Sequence, residues 1–275
     1  SIDLRRGRDI ARYGMLVTVT GILLHLQRQV SVFILSRTLG PASVGLYNKG
    51  ESLAKMPHGF ITGSVYHVLF RALAVEHDDL DKCRYLFFRS IALVAVYATP
   101  FYVGLLWLAQ PLIRGVYGPN WVEAAVPLYI LAFAWPFWLL NNLSGAVLSA
   151  KNWLDREVPV QAATLVISGL AVFIGLAYGI AGVAYAMVGV AIYSALHMYW
   201  LAVRCLDARL SSFFAAIRPA MLLNAILAGT LYLLDFALPA SVFTHDFLYL
   251  TVMGVIGGGR HMGIPRQGRP TYPHR

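Results

Sequence analysis

The chain has 275 residues, of which 58% are hydrophobic and only 13% charged, and its mean hydropathy is +0.63. A soluble domain carries roughly 25% charged residues, so this composition excludes a soluble globular protein and predicts an all-α, polytopic transmembrane helix bundle. The net charge of +9 comes from short basic clusters between apolar runs. No nucleic-acid-binding motif accompanies them, so nucleic acid is not an expected partner.

Eight stretches are candidates for membrane helices, because about 20 mostly apolar residues cross a hydrocarbon core about 30 Å thick. The eighth is the weakest, since a run of three glycines and an arginine follows it at once. In chain order the eight cover residues 11–39, 42–74, 84–113, 122–150, 158–179, 181–204, 213–236 and 245–258.

The domain organisation follows from these stretches. We expect residues 1–10 to form a cytoplasmic segment, 11–204 a six-helix transmembrane lobe and 205–258 a C-terminal helix pair. Residues 259–275 are polar and rich in glycine and proline, which predicts a disordered basic tail that is either native or a sequence artefact. The start at Ser1, with no signal-peptide pattern after it, suggests that further residues precede this sequence.

The positions of the 22 lysines and arginines predict the orientation. Most of them fall in the N-terminal segment, in every second connection and in the tail, all on one side of the membrane. Only Arg37 and Arg114 fall on the opposite side, and Arg28, Lys49 and Lys55 fall inside expected helices. Basic residues near helix ends are retained in the cytoplasm, so both termini are expected there.

The first expected helix has a polar face. Thr18, Gly21, His25 and Arg28 are spaced so that they share one side of a helix. An arginine near the centre of a spanning helix costs about 2.5–3.5 kcal/mol on insertion scales, which makes Arg28 a functional candidate. Alternatively, Arg28 reaches a membrane interface or pairs with a carboxylate.

The second expected helix carries a longer polar stripe and is predicted to line an interior cavity. Glu51 and Lys55 could simply neutralise each other, because they are spaced i, i+4 in the favourable order. Lys49 lies off the stripe near the helix start, where an interfacial position is expected. The stripe consists of Asn48, Glu51, Lys55, His58 and Thr62.

The remaining polar residues are weaker candidates. Asn141 and Asn142 in the fourth helix could bind substrate or could hydrogen-bond to a neighbouring helix, and the second role is the commoner one. Cys83 and Cys205 predict neither a disulfide nor a metal site. The sequence has no catalytic constellation, metal-ligand cluster or phosphate-binding loop, so no enzyme activity, metal or cofactor is expected.

Several short stretches, spread over residues 8–236, resemble a known family. They read ILSRTLGPASVGLYNK (34–49), VLFRAL (68–73), YGPNW (117–121), AAVPL (124–128) and GIAGVA (179–184), with Pro57 between the first two. In these stretches the chain resembles Wzx-type polysaccharide flippases of the MOP/MATE-like superfamily. Members have about fourteen helices, and the order of motifs resembles helices seven to fourteen, a C-terminal half without its N-terminal lobe.

The resemblance implies a function. The expected cargo is an oligosaccharide on undecaprenyl pyrophosphate, moved across the bacterial inner membrane by alternating access for O-antigen, lipopolysaccharide or exopolysaccharide synthesis. The expected partners are that lipid-linked oligosaccharide and the polysaccharide polymerase and glycosyltransferase machinery. We expect Arg28, Lys55 and Lys49 to attract the pyrophosphate. Along the sugar path we expect His25, Asn48, His58, Asn141 and Asn142, with Glu51 in the same cavity.

Three alternatives stay open. A MATE-like multidrug or cation exporter would favour an acidic cavity. The expected helices instead contain the three cations Arg28, Lys49 and Lys55 against the single carboxylate of Glu51. A membrane-embedded glycan enzyme would need a large loop on the non-cytoplasmic side, and the connections there are short. The chain could also be an inactive fragment of a flippase.

Overall fold

A computed structural model describes residues 4–237. Within that range the chain is all-α, with two short 3₁₀ turns at Pro119–Ala124 and Leu176–Tyr178 and no strand. The expected eighth helix at 245–258 and the expected tail at 259–275 lie outside the described residues. The helices are α1 (Leu4–Thr38), α2 (Gly40–Val75), α3 (Leu80–Tyr117), α4 (Ala125–Ala150), α5 (Leu154–Gly175), α6 (Gly179–Cys205) and α7 (Ser212–Ala237).

The observed helix bounds agree with the expected ones to within four residues, except at the start of α1, and three helices begin earlier than expected by four residues or more. α1 begins at Leu4 rather than at residue 11, α3 at Leu80 rather than 84, and α5 at Leu154 rather than 158. Each of these starts contains charged residues, which hydropathy assigns to a connection. Leu, Arg and Glu are nevertheless good helix formers, so the helices extend beyond their apolar parts.

Five segments of the described residues are long and apolar enough to cross a membrane. The longest of them, Leu154–Cys205, contains both α5 and α6. α2 is not among the five, although its 36 residues suffice in length at about 1.5 Å each. The protein is therefore a multi-pass membrane protein.

α4 lies at the centre of the bundle and packs against α2, α3 and α6. One apolar cluster joins α2, α3, α4 and α6 around Phe87 and Leu143, and a second lies around Ile113 and Leu128. Helices α3, α4 and α6 form the apolar core. α1 packs mainly against α5 and only slightly against α2, whereas α2 packs mainly against α4. This arrangement leaves a space between α1, α2, α4 and α5.

Two glycines join α5 closely to α6. A Cβ atom at Gly175 would lie 2.7 Å from the backbone oxygen of Gly182, and a Cβ atom at Gly182 would overlap the backbone oxygen of Gly175. Gly179, between them, has φ +68°, a conformation that favours glycine. The tight turn at residues 176–179 therefore depends on small residues.

The connections expected to be cytoplasmic meet at one end of the bundle. The Arg84 side chain donates to the backbone oxygens of Leu206 and Asp207, both at 2.8 Å, which ties the start of α3 to the α6–α7 connection. The Lys151 ammonium donates to the backbone oxygen of His77, which ties the α4–α5 connection to the α2–α3 connection. Three expected cytoplasmic connections therefore share one end, as an alternating topology requires.

Candidate functional site

A cavity of about 600 Å³ lies between α1, α2, α4 and α5. It runs along the bundle, because its lining extends from Glu51 to Tyr66 on α2, a distance of about 22 Å at 1.5 Å per residue. This volume lies within the range of small-molecule sites, about 300–1,000 Å³. The walls combine aromatic side chains with amide, hydroxyl and charged groups.

The structure brings five of the nine predicted site residues together around this cavity: Arg28, Glu51, His58, Asn141 and Asn142. Arg28 and Glu51 form no ion pair with each other or with another described residue. The alternative in which Arg28 pairs with a carboxylate is therefore not observed within residues 4–237.

The other four predicted residues, His25, Asn48, Lys49 and Lys55, do not line the cavity. His25 and Lys55 are exposed. The Glu51–Lys55 ion pair, which the sequence left open as an alternative, is absent from the described ion pairs. The Lys49 ammonium lies over the rings of Tyr117 and Trp121, at 4.4 and 5.5 Å from their centroids.

The rotation of the helix explains this division on α2. At about 100° per residue, Glu51 and His58 lie within about 20° of each other around the axis, and so do Asn48 and Lys55. The second pair lies about 40–80° away from the first. The predicted stripe was therefore wider than the cavity.

The same division occurs on α1. Gly21 and Arg28 line the cavity, whereas Thr18 and His25 do not. A stripe at i, i+3, i+7 and i+10 therefore divides into two i, i+7 pairs in both helices, and one pair of each faces the cavity.

The two asparagines behave differently. Asn141 is 5% exposed and donates to the Ser194 hydroxyl on α6, which is the helix-to-helix role that the sequence left open. The Asn142 Oδ1 atom is buried and has no hydrogen-bond partner among the described residues. Asn142 therefore retains an acceptor for a bound molecule.

Sequence reasoning missed a buried polar network between α1 and α5. The Gln27 side-chain amide donates to the backbone oxygen of Gln161 at 2.7 Å and to its Oε1 at 3.3 Å. The Gln161 amide in turn donates to Glu157 Oε1 at 3.3 Å. The i, i+4 spacing of Glu157 and Gln161 could have revealed this face, but the expected helix began at residue 158.

The cavity also has aromatic walls, whose tryptophans were not among the candidate residues from the sequence. Trp135 and Trp138 on α4 line it, and the ring of His58 lies 4.9 Å from that of Trp135. No group of three or more His, Cys, Asp or Glu side chains that could hold a metal ion occurs among residues 4–237. The cavity therefore offers stacking surfaces, hydrogen-bonding groups and one guanidinium.

Comparisons with known proteins identify the family that the chain resembles. Residues 1–127 match the model of a family described as "Polysaccharide biosynthesis protein". The teichuronic acid biosynthesis protein TuaB of Bacillus subtilis is 25% identical over 224 residues, which cover 81% of this chain and 46% of TuaB. The resemblance to polysaccharide flippases is confirmed.

Two further relatives agree with it. The lipopolysaccharide biosynthesis protein WzxC of Escherichia coli is 28% identical over 52% of this chain and 29% of its own length. An uncharacterized membrane protein in the cps region of Klebsiella pneumoniae is 27% identical over 56% of this chain and 32% of its own length. The chain spans less than half the length of these relatives. Its correspondence to a C-terminal half stays a prediction.

Proposed function

We propose that this chain forms part of the export path for an oligosaccharide carried on undecaprenyl pyrophosphate, moved across the bacterial inner membrane by alternating access. The observation that carries the proposal is the elongated cavity between α1, α2, α4 and α5, which has polar and aromatic side chains in its wall and lies in a chain similar to polysaccharide biosynthesis proteins. Nascent glycan would then come from glycosyltransferases and pass to a polymerase.

Arg28 supplies the headgroup contact in this proposal. Its guanidinium is the one arginine or lysine side chain among the described residues that line the cavity. A guanidinium can donate two parallel hydrogen bonds to phosphate oxygens, and it stays charged at every physiological pH. The headgroup role that the sequence shared among three cations therefore falls to Arg28, since Lys49 and Lys55 do not line the cavity.

The sugar path in this proposal lies along α4. Trp135, with the His58 ring beside it, offers a flat apolar face on which a sugar ring can rest. Asn142 Oδ1 offers an acceptor for a sugar hydroxyl, and a buried polar atom without a partner gains most from such a contact. The arrangement of a few polar groups among aromatic walls suits an uncharged, hydroxyl-rich ligand.

A second candidate function is a MATE-like exporter of cationic compounds. The cavity is lined by two carboxylates, Glu51 and Glu157, against the single guanidinium of Arg28. This balance weakens the charge argument that the sequence offered against such an exporter, because that argument counted Lys49 and Lys55 inside the cavity.

The test is complementation. The complete gene that contains this sequence would be deleted in its host and resupplied as wild type, as Arg28→Ala or as Lys55→Ala. We expect surface polysaccharide to fall at least about tenfold with Arg28→Ala, equivalent to about 1.4 kcal/mol. The matched control Lys55→Ala should restore it, since Lys55 does not line the cavity.

Three outcomes decide between the candidates. Full restoration by Arg28→Ala at normal expression would refute the headgroup assignment. Surface polysaccharide that is unaffected by the deletion, together with new sensitivity to cationic drugs, would favour the exporter. The 275-residue chain, supplied alone in parallel, shows whether it acts without the rest of the protein.

A further inference from the structure

Glu157 is a buried carboxylate that the proposed cargo path does not use. It lies in the first turn of α5, is 4% exposed and lines the cavity. Its Oε1 accepts the hydrogen bond from Gln161. Its Oε2 has no hydrogen-bond partner among the described residues.

No described basic side chain compensates the charge of Glu157. It forms no ion pair with another described residue. The basic side chains nearest in sequence are engaged elsewhere: the Arg156 guanidinium lies 4.0 Å from the centroid of the Trp153 ring, and Lys151 donates to the backbone of His77.

The groups that face Glu157 from the surrounding helices are neutral or weakly polar. They are Tyr13 on α1, Tyr66 on α2, Gly145 and Ser149 on α4, Gln161 on α5 and Met198 on α6. Farther along the same cavity lie four titratable or charged groups: Arg28, Glu51, His58 and His67.

The amide network fixes the orientation of the group beside Glu157. Gln27 donates to both oxygens of Gln161, the backbone oxygen and Oε1. The Gln161 Nε2 atom must therefore point the other way, towards Glu157 and the sulfur of Met198 at 3.7 Å. This leaves Glu157 with one weak neutral donor, which cannot replace the hydration that a carboxylate has in water.

An ionised carboxylate in such a place is costly, since burial without a counter-charge disfavours the charged form. Taking up one proton removes the charge, and the new O–H on Oε2 can donate to a water molecule or a ligand in the cavity. We propose that Glu157 is a proton-binding site in the cavity wall, which takes one proton from cavity water as a carboxylate and returns it when it ionises again. This site goes beyond the cargo path and does not depend on it.

The test is chemical labelling of the whole chain in lipid nanodiscs. A hydrophobic carbodiimide reacts with protonated carboxyl groups in apolar surroundings, and mass spectrometry of the peptides locates the product. We expect Glu157 to be labelled and the exposed Glu123 to remain unlabelled. Labelling should fall about tenfold per pH unit once Glu157 ionises.

Variants and salts complete the design. Glu157→Gln should abolish labelling of its peptide, whereas Glu123→Gln should leave labelling of Glu157 unchanged. Absence of labelling at Glu157 in the wild type would overturn the proposal, and this measurement needs no variant to fold. Labelling would also be compared in sodium chloride and in choline chloride. Weaker labelling of Glu157 in sodium chloride would overturn the proposal in favour of a sodium site. Because the labelling experiment involves no glycan, a negative result does not affect the proposed cargo path. A negative complementation result likewise does not affect the proton-binding proposal.

Discussion

The apolar core of α3, α4 and α6 differs from the polar wall formed by α1, α2 and α5 in what surrounds the buried side chains. In the core, Phe87 and Leu143 are almost completely buried among other apolar side chains. In the wall, Thr20 Oγ1 and Glu157 Oε2 are buried and lack a hydrogen-bond partner within the described residues. Apolar packing therefore holds the core together, whereas the wall places buried polar atoms beside the cavity.

The largest effect is expected in the core. Leu143→Ala should lower the free energy of unfolding by about 2–5 kcal/mol, because the cavity left by the side chain is closed on all sides. Leu170→Ala is the matched control, since Leu170 is 61% exposed whereas Leu143 is 1% exposed. Melting temperatures in detergent would measure both. Equal losses would show that the core is not the more stable region.

The next effect is expected where α5 joins α6, which connects the wall to the core. Gly182→Ala should cost about 1–3 kcal/mol, because its methyl group would overlap the backbone of Gly175. Gly189→Ala on the same helix is the control, since a Cβ atom there meets nothing within 4 Å. Melting temperatures in detergent would measure the loss of stability in both variants. A neutral Gly182→Ala would mean that the two helices are packed less closely than described.

A smaller effect is expected inside the wall. Gln27→Leu removes both hydrogen bonds to Gln161 and should cost about 0.6 kcal/mol, the average for such bonds between membrane helices. Gln29→Leu on the exposed side of α1 serves as the control. Amide hydrogen exchange along α1 should become faster in the first variant only. Unchanged exchange would show that Gln27 does not hold α1 against α5.

The smallest effect is expected outside the membrane, at the start of α3. The Lys82 backbone N–H donates to the Asp79 carboxylate at 3.0 Å and holds the pKa of that carboxyl below its ordinary value of 3.8. A group with a lowered pKa stabilises the fold above its ordinary pKa and loses that contribution as pH falls through the folded value.

Asp79→Ala should therefore lower the melting temperature slightly at neutral pH and make no difference in strong acid. Asp78→Ala is the control, because Asp78 caps no helix. Melting curves across this pH range would decide, and an equal difference at both ends of the range would contradict the capping role.

The sequence predicted the seven described helices well, because long apolar runs such as that of α6 form helices in a membrane. It placed the start of α5 too late, since Leu154, Asp155 and Arg156 read as a connection. Acidic residues in a first turn are in fact a helix-start signal. That error removed Glu157 from the candidate residues.

The sequence predicted several residues that line the cavity. Arg28, Glu51 and His58 are among them, because the spacing along a helix reveals which residues share a face, and their role in binding stays a prediction. Lys55 and His25 share almost the same face but lie outside the cavity. How far the cavity extends around each helix depends on packing against α4 and α5. This packing sets the rotation of α1 and α2 about their axes, which their local sequences do not determine.

Arg84 also limits changes in the length of the α6–α7 connection. Its side chain reaches from α3 to the backbone of Leu206 and Asp207, and Tyr199 holds the same connection through the backbone oxygen of Leu210 at 3.0 Å. A connection held at three backbone oxygens has a fixed length. Insertions between residues 206 and 211 should be poorly tolerated, even though most surface loops accept them.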